Sequence, residues 1–311
     1  MRLSVYSAYK NLIILLSSSI RIVSSLVSPI QSIDNEVVLE LRDISRQFIG
    51  EKKKNNFKHT VLDKLNLRIK KGEFITIVGP SGCGKSTLLN ILAGLDNGFD
   101  GSISVDNKPI AQSPNTDRIV VFQEGALFPW LTVYGNIEFG LKIAKVPKQK
   151  RHERILKLIE MVQLTNFTDA YIHQLSGGMK QRVAIARALA LDPKILLMDE
   201  PFAALDVQTR KILYEHLFAI HHETKKTIIF VTHNIHEAVA LGDRVIVMSP
   251  KLANIKKKIT VNISRPRSID HPLVSSIAKE IISESEELFS IDRKAAAFES
   301  PNNEVNNSII V

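Results

Sequence analysis

Residues 79–87 read GPSGCGKST, and this stretch decides how the surrounding chain is interpreted. Directly upstream, residues 73–78 form a short, β-branched apolar run, which is typical of a buried parallel strand. Directly downstream, residues 87–93 place apolar side chains at helical spacing and are followed by Gly94, a common stop after a helix. The sequence therefore predicts a strand, a glycine-rich loop and a helix in direct succession.

The loop matches the pattern G-x-x-x-x-G-K-[ST]. Glycines let backbone N–H groups approach phosphate oxygens that a Cβ atom would obstruct, and a helix N-terminus favours negative charge. In such loops the lysine lies across the β- and γ-phosphates, and the following hydroxyl ligates Mg²⁺. We therefore predict nucleotide binding by Gly79, Pro80, Ser81, Gly82, Cys83, Gly84, Lys85, Ser86 and Thr87.

The composition describes an ordinary soluble globular protein, with 311 residues, 44% apolar and 23% charged. No apolar run reaches the length that a transmembrane helix needs, about 18 residues. The single cysteine, Cys83, excludes a disulfide framework and favours a reducing compartment. The net charge of +9 comes partly from lysine clusters without interleaved aromatic residues, so we interpret them as solvated surface and predict no nucleic-acid partner.

Residues 195–200 form a second candidate site, an apolar strand that ends in Asp199 and Glu200. Ligands of open parallel sheets bind at the carboxyl edge, where such a strand would end. There Asp199 can hold Mg²⁺, and Glu200 can orient and polarise an attacking water.

Residues 175–182 read LSGGMKQR and precede a strongly helical run. Ser176 is a good helix N-cap, and Gly177 and Gly178 expose N–H groups of the helix start to an anion. This octapeptide resembles the signature motif of the ATP-binding cassette (ABC) ATPases. The resemblance extends over about residues 36–250 and implies ATP and Mg²⁺ as the ligands of the site.

The other motifs of that family follow in order along the chain. Gln123 resembles the Q-loop glutamine, which ligates the metal and takes part in catalysis. Asp206 resembles the aspartate of the D-loop, and the resemblance implies that it binds the nucleotide together with Ser176, Gly177 and Gly178. His233 resembles the catalytic switch histidine, and Phe48 stands where the family's adenine-stacking aromatic stands, with Phe57 as the alternative. Two small departures are Ala203 in place of a glycine and Asn234 in place of an aspartate; neither removes a catalytic group.

The resemblance implies an α/β P-loop NTPase of ABC type, with a RecA-like core, an antiparallel β subdomain and a helical subdomain at about 124–175. We assign residues 36–270 to this domain, beginning with an edge strand at 37–41 and a polar loop at about 50–58. Residues 1–35 are interpreted as a disordered extension or a leader. Residues 271–311 are interpreted as a helix near 272–290 followed by a flexible tail.

Residues 123–136 (QEGALFPWLTVYGN), 198–206 and 264–267 resemble the importers of the nitrate, sulfonate, taurine and bicarbonate type. This resemblance implies an ATP-hydrolysing subunit that forms a dimer with a second ATPase subunit, expected to be a second copy of this chain. It also implies separate permease subunits, an extracytoplasmic substrate-binding protein and a peripheral location on the cytoplasmic side of the membrane. The alternatives are an exporter or lipid-transport ATPase, and a soluble ABC ATPase that acts on ribosomes or DNA.

Overall fold

The computed structural model of the protein describes residues 36–52, 55–123, 125–249, 253–265 and 267–284. The strands are β1 (Val37–Lys52), β2 (Asn55–Lys70), β3 (Phe74–Val78), β4 (Phe99–Val105), β5 (Lys108–Pro109), β6 (Arg118–Val121), β7 (Ile195–Asp199), β8 (Thr227–Thr232), β9 (Arg244–Ser249) and β10 (Asn254–Thr260). The α-helices are α1 (Lys85–Ala93), α2 (Val133–Ile143), α3 (Lys148–Met161), α4 (Gly177–Ala190), α5 (Val207–Thr224), α6 (Ile235–Leu241) and α7 (Pro272–Ser283). No helix within these ranges is both long and apolar enough to cross a membrane.

The larger sheet has the strand order β10-β9-β3-β8-β7-β6. Strands β9, β3, β8, β7 and β6 are parallel, and β10 runs antiparallel to β9. Every residue of β3 and β8 is buried, as expected for strands covered on both faces. The parallel strands all end at one edge, so the segments that follow β3, β6, β7 and β8 share that edge.

The smaller sheet is antiparallel, with the order β2-β1-β4-β5. The expectation of an edge strand at 37–41 is wrong, because β1 pairs with β2 on one side and with β4 on the other. Alternating apolar residues indicate which face of a strand is buried, but they do not show how many neighbours it has. The loop expected at about 50–58 is also shorter, since the pairing of β1 with β2 continues to Lys52 and Asn55.

The helical segment predicted at about 124–175 contains α2, α3 and two short 3₁₀ helices, Thr165–Phe167 and Ile172–Gln174. The Thr132 hydroxyl caps α2 by accepting a hydrogen bond from the Gly135 N–H at 3.1 Å. On α3 the buried residues are the apolar ones at helical spacing, Ile155, Leu158 and Ile159. They join the apolar core formed with α4, so the helical segment is packed on the helix that follows LSGG.

The last described helix, α7, begins at the Pro272 position within the expected range. Its buried residues Val274, Ala278 and Ile281 belong to a cluster that includes residues of α6 and β9. The helix therefore packs on the parallel sheet. The interpretations of residues 1–35 and of the tail after Glu284 lie outside the described residues.

Candidate nucleotide-binding and catalytic site

The glycine-rich loop joins β3 to α1 and is shaped by close contacts with neighbouring strands. Gly84 has φ +96°, and a Cβ atom there would lie 2.9 Å from both the Leu62 Cδ2 atom and the Val61 carbonyl oxygen. A Cβ atom on Gly79 would lie 2.7 Å from the carbonyl oxygen of Met248. Glycine is needed at both positions because only backbone fits there. The two glycines that the motif requires for phosphate binding are thus also required by the packing of the loop against its neighbours.

Two side chains of this loop are held in place by hydrogen bonds. The buried amine of Lys85 donates to the carbonyl oxygens of Gly79 at 2.7 Å and Pro80 at 3.0 Å. The Ser86 hydroxyl donates to the Oδ1 atom of Asp199 at 3.3 Å. The structure therefore brings together the hydroxyl of one motif and the acid of another, which are 113 positions apart in the chain.

Asp199 and Glu200 stand at the end of β7 in different environments. Burial raises the pKa of the Asp199 carboxyl, the hydrogen bond from Ser86 opposes this, and the charge of Glu200 raises it further. Glu200 has φ +44°, a left-handed conformation that is uncommon for a non-glycine residue and is found at functional sites. Its N–H donates to the Val231 carbonyl oxygen at 3.0 Å, which fixes the turn at the strand end.

Glu200 contacts the residue that follows the neighbouring strand. The Oε2 atom of Glu200 lies 2.9 Å from the Nδ1 atom of His233. Behind this pair, the Thr232 hydroxyl donates to the buried carboxyl group of Glu237, whose pKa burial raises. The Asn234 side chain caps α6 by accepting from the Glu237 N–H at 3.1 Å. The substitution of asparagine for the family's aspartate thus preserves a helix cap.

Gln123 is exposed and follows β6, the strand next to β7. The turn after it is held from α4 by Arg187, which donates to the carbonyl oxygens of Gly125 at 2.7 Å and Ala126 at 2.8 Å. The same guanidinium lies 5.6 Å from the ring centre of Phe128. The helix that starts with the signature motif is therefore tied directly to the segment that starts with Gln123.

The signature turn packs on the start of α5. The Ser176 hydroxyl accepts from the Met179 N–H at 3.3 Å and caps α4. A Cβ atom on Gly178 would lie 2.5 Å from the Thr209 Cγ2 atom. Asp206 caps α5 by accepting from the N–H groups of Gln208 at 3.1 Å and Thr209 at 3.0 Å. The signature and the D-loop thus form one contiguous surface, and Gly177 lies in it against Leu205.

Phe48 lies on β1 with its ring 42% exposed. It pairs with His59 of β2, two positions from Val61, which contacts the glycine loop. The Arg46 guanidinium carbon lies 4.2 Å from the centre of the Phe48 ring. Phe48 as an adenine platform remains a prediction, and the side chain of its alternative, Phe57, lies outside the described residues.

Two supporting residues were missed in the sequence. Arg187 is the one basic residue in the apolar run from Val183 to Leu191, and Glu237 is the one acid in α6. A charged residue inside a buried helix face needs a partner, so each was a signal that could have been used. Their partners, however, lie on other elements and could not be read from the sequence.

Comparisons with known proteins identify the family of the chain. The model of the ABC transporter family matches residues 62–203. The nitrate import ATP-binding protein of Synechocystis is 45% identical over 225 residues, covering 72% of this chain and 83% of that protein. The aliphatic sulfonates import ATP-binding protein of Bacillus subtilis is 45% identical over 241 residues, covering 78% and 91%.

A solved structure shows the same fold with products bound. It is the dimeric, post-hydrolysis state of the ATP-binding cassette MJ0796 bound to ADP and Pi, which has a TM-score of 0.62 and 33% identity. The match covers 73% of this chain and 100% of that one. With its strand order, its phosphate loop and these relatives, the chain belongs to the family of ABC transporter ATP-binding proteins.

Proposed function

We propose that this chain is the ATP-hydrolysing subunit of an importer that takes up a small anion or organic solute of the nitrate, sulfonate, taurine or bicarbonate type. The observation that carries the proposal is the shared carboxyl edge of the parallel sheet. There the phosphate loop, Gln123, the Asp199–Glu200 pair and His233 follow four neighbouring strands. The two import ATP-binding relatives support the direction of transport and the class of solute.

The residues at this edge fit ATP and Mg²⁺. A Cβ atom on Gly79 or Gly84 would lie 2.7 Å or 2.9 Å from a neighbouring carbonyl oxygen, so only backbone lines the loop at these two positions. The Lys85 amine lies among carbonyl oxygens of the loop. Ser86, Asp199 and Gln123 would hold the metal, since hydroxyl, carboxylate and amide oxygens are the ligands that Mg²⁺ prefers. The metal would neutralise charge that develops on the transferred phosphoryl group.

In phosphoryl transfer the protein contributes mainly by positioning the reactants and by stabilising the charge of the transition state. Glu200 orients the attacking water, and its carboxylate is placed by the left-handed turn and by the His233 imidazole at 2.9 Å. His233 is more exposed than Glu200 (62% against 26% for the side chains), so it is the partner that is free to reach toward the phosphate. Lys85 stabilises negative charge on the β- and γ-phosphates.

A second copy of this chain is expected to complete the site. Ser176, Gly177 and Gly178 belong to the signature surface on α4, and each would contact the nucleotide held by the phosphate loop of the partner copy. The helix start offers N–H groups and a favourable field to the γ-phosphate. The dimeric state of the MJ0796 cassette supports this arrangement.

Coupling to a permease is assigned to an exposed apolar groove, of which Phe128, Pro129, Trp130 and Leu131 form part and which would receive a short cytoplasmic helix of the permease. The Trp130 side chain is 69% exposed, which excludes the alternative that it packs in a core. Its ring lies 5.5 Å from Phe128, which is 4.4 Å from Phe139. Exposed aromatic clusters of this kind favour a protein interface. We place the chain on the cytoplasmic side of the membrane, with an extracytoplasmic substrate-binding protein in the same system.

The experiment is purification of the tagged chain from membranes, followed by identification of the attached proteins. A permease and uptake of a labelled anion or sulfonate that depends on this chain are the expected results. Recovery of ribosomal proteins or DNA-associated proteins in place of a permease would contradict the proposal. Efflux of the labelled solute would contradict the direction of transport and leave the ATPase assignment standing.

A further inference from the structure

A groove of about 860 Å³ lies between α5 and the segment that leads into α7. It lies apart from the residues at the carboxyl edge of the parallel sheet that form the candidate site, here called the catalytic edge. Apart from Arg265 and Arg267, the residues that line the groove belong to none of the family motifs. We propose that this groove is a regulatory site for a small amphipathic organic anion, one with an apolar ring or chain and a carboxylate, sulfonate or phosphate group. Binding at this site would slow ATP hydrolysis.

The apolar half of the groove comes from both of its walls. Phe218 and Ala219 line it from α5, and Ile269 lines it from the opposite segment. Phe218 and Ile269 are half-buried and pack against the main core, so both are held in position. A cavity of several hundred cubic ångströms lined by such side chains is typical of sites for small organic ligands.

The polar residues that line the groove carry an excess of positive charge. Lys211 and Arg265 have acidic partners, since Asp270 lies 2.5 Å from Lys211 and Asp243 lies 2.8 Å from Arg265. Among the described residues, the amine of Lys225, which also lines the groove, has no carboxylate within ion-pair distance. A ligand with a negative group near Lys225 would therefore find complementary charge.

Arg267 adds a second cation, for which the described residues offer no carboxylate within ion-pair distance. It is 5% exposed, and its guanidinium donates to the carbonyl oxygens of Ala240 at 2.7 Å, Ile263 at 2.6 Å and Gly242. Burial, followed by the charge of Arg265, lowers the pKa of Arg267 to about 10, so it remains charged at neutral pH. Against these cations, Glu215 is the carboxylate in the described lining. The balance of charge in the described lining favours an anion.

Tyr214 connects the groove with the catalytic edge. Its side chain lines the groove, and its buried hydroxyl makes no hydrogen bond within the described residues but is close enough to the carboxyl group of Glu237 for the two to interact. Glu237 accepts a hydrogen bond from Thr232, the residue before His233. A ligand that packs on Tyr214 would stabilise this arrangement, in which His233 is paired with Glu200. Because a ligand favours the conformation to which it binds, occupancy should retain the pair and lower turnover.

Binding is tested by calorimetry on the full chain with 1-naphthalenesulfonate as the probe. Two comparison compounds test the ring and the charge of the probe separately. 1-Naphthalenemethanol has the ring without the charge, and sodium sulfate has the charge without the ring. We expect one saturable site per chain with Kd of about 1 mM or tighter for the probe. The two comparison compounds should bind at least about tenfold more weakly, because each lacks one half of the interaction.

Two variants place the probe in the groove. Ala219→Trp fills the apolar half from an exposed helix position and should weaken binding at least about tenfold. Lys225→Gln removes one cation and should weaken binding several-fold, whereas Lys148→Gln, at the exposed start of α3, should not change it. The proposed site would be overturned if Ala219→Trp bound the probe with the same Kd as the wild-type chain. It would also be overturned if sulfate bound the wild-type chain as tightly as the probe does.

The regulatory half of the inference rests on the proposed function and has its own measurement. At saturating probe, ATP turnover of the wild-type chain should fall about fivefold, at the lower end of typical allosteric coupling. Tyr214→Phe should still bind the probe but lose most of this inhibition. Unchanged turnover at saturation would overturn the regulation. Failure of the chain to hydrolyse ATP at all would contradict the proposed function, but the calorimetric result would be unaffected.

Discussion

The Nδ1 atom of His233 lies 2.9 Å from the Oε2 atom of Glu200, although 33 positions separate the two residues in the chain. The contact arises because β7 and β8 are parallel neighbours that end at the same edge of the sheet. The left-handed turn at Glu200 and the hydrogen bond from its N–H to Val231 hold the carboxylate there. The carboxylate that we propose to orient the attacking water is thus in direct contact with the imidazole of His233.

Glu200→Gln should abolish turnover and leave ATP binding intact. The amide retains the size of the side chain but cannot accept a proton, so the loss should be on the order of 10²–10⁴ in rate. Phosphate release measures turnover, and gel filtration with ATP should show the variant as a dimer. Lys85→Ala is the matched control, which should lose ATP binding itself. Near-normal turnover by Glu200→Gln would contradict the role of this carboxylate.

The glycines of the phosphate loop provide a matched pair. Gly84 and Gly82 both have positive φ, +96° and +75°, but a Cβ atom at Gly84 would meet Leu62 and Val61 at 2.9 Å, and one at Gly82 would meet nothing within 4 Å. Gly82→Ala should cost about 1–2 kcal/mol of stability, the price of the left-handed conformation alone. Gly84→Ala should cost clearly more and weaken ATP binding. Equal urea midpoints for the two variants would show that Val61 and Leu62 of β2 can move to accommodate a Cβ atom at Gly84 at little cost in stability.

Much of the central sheet and of the catalytic edge followed from the sequence because the information is local. A strand, a glycine loop and a helix stand side by side at residues 73–93, and Asp199 and Glu200 directly follow an apolar run. Pairing partners are not local. The alternation of apolar and polar residues in β1 is the same for an edge strand and an interior strand. Likewise, the sequence around Arg187 does not indicate which two carbonyl oxygens accept its hydrogen bonds.

Asp199 should destabilise the folded protein at neutral pH. Its folded pKa is raised, above all by burial, so the folded state binds this proton more tightly than the unfolded chain does. The tighter binding of this proton stabilises the folded state most at acidic pH. The stabilisation is lost as pH rises from the unfolded pKa of 3.8 through the raised folded pKa. Asp199→Asn should have a higher urea midpoint than wild type at pH 7, and the difference should shrink toward about pH 4.

The same substitution should also reduce ATP turnover, because the amide is a weaker ligand for Mg²⁺ than the carboxylate. Ser86→Ala is the comparison, since it removes the other partner of the hydrogen bond and leaves the buried carboxylate. A wild-type pH profile for Asp199→Asn would show that other groups cause the pH dependence.

Arg187→Ala should release the segment after Gln123 from α4. Two carbonyl oxygens would lose a charged donor, at a cost of about 1–3 kcal/mol in the free energy of unfolding. Because Gln123 would then be less well positioned, turnover should fall more than tenfold. Arg187→Lys should recover only part of both losses, since an ammonium group cannot reproduce the planar fork that reaches both oxygens. Wild-type stability and turnover in Arg187→Ala would contradict the assignment.

Trp130→Ala separates a permease interface from a structural role. The side chain is 69% exposed and touches the Phe128 ring, so its removal should change the free energy of unfolding by less than about 0.5 kcal/mol, as for most surface positions. Basal ATP turnover should be unchanged, because no contact of Trp130 reaches the catalytic edge among the described aromatic pairs. The variant should nevertheless fail to co-purify with the permease or to drive uptake, since an exposed aromatic anchor contributes strongly at an interface.

The control is Phe167→Ala, which removes an exposed aromatic side chain on the 3₁₀ helix Thr165–Phe167 and should leave uptake intact. A loss of about 3–5 kcal/mol in Trp130→Ala, the cost of truncating a core aromatic, would contradict the interface role.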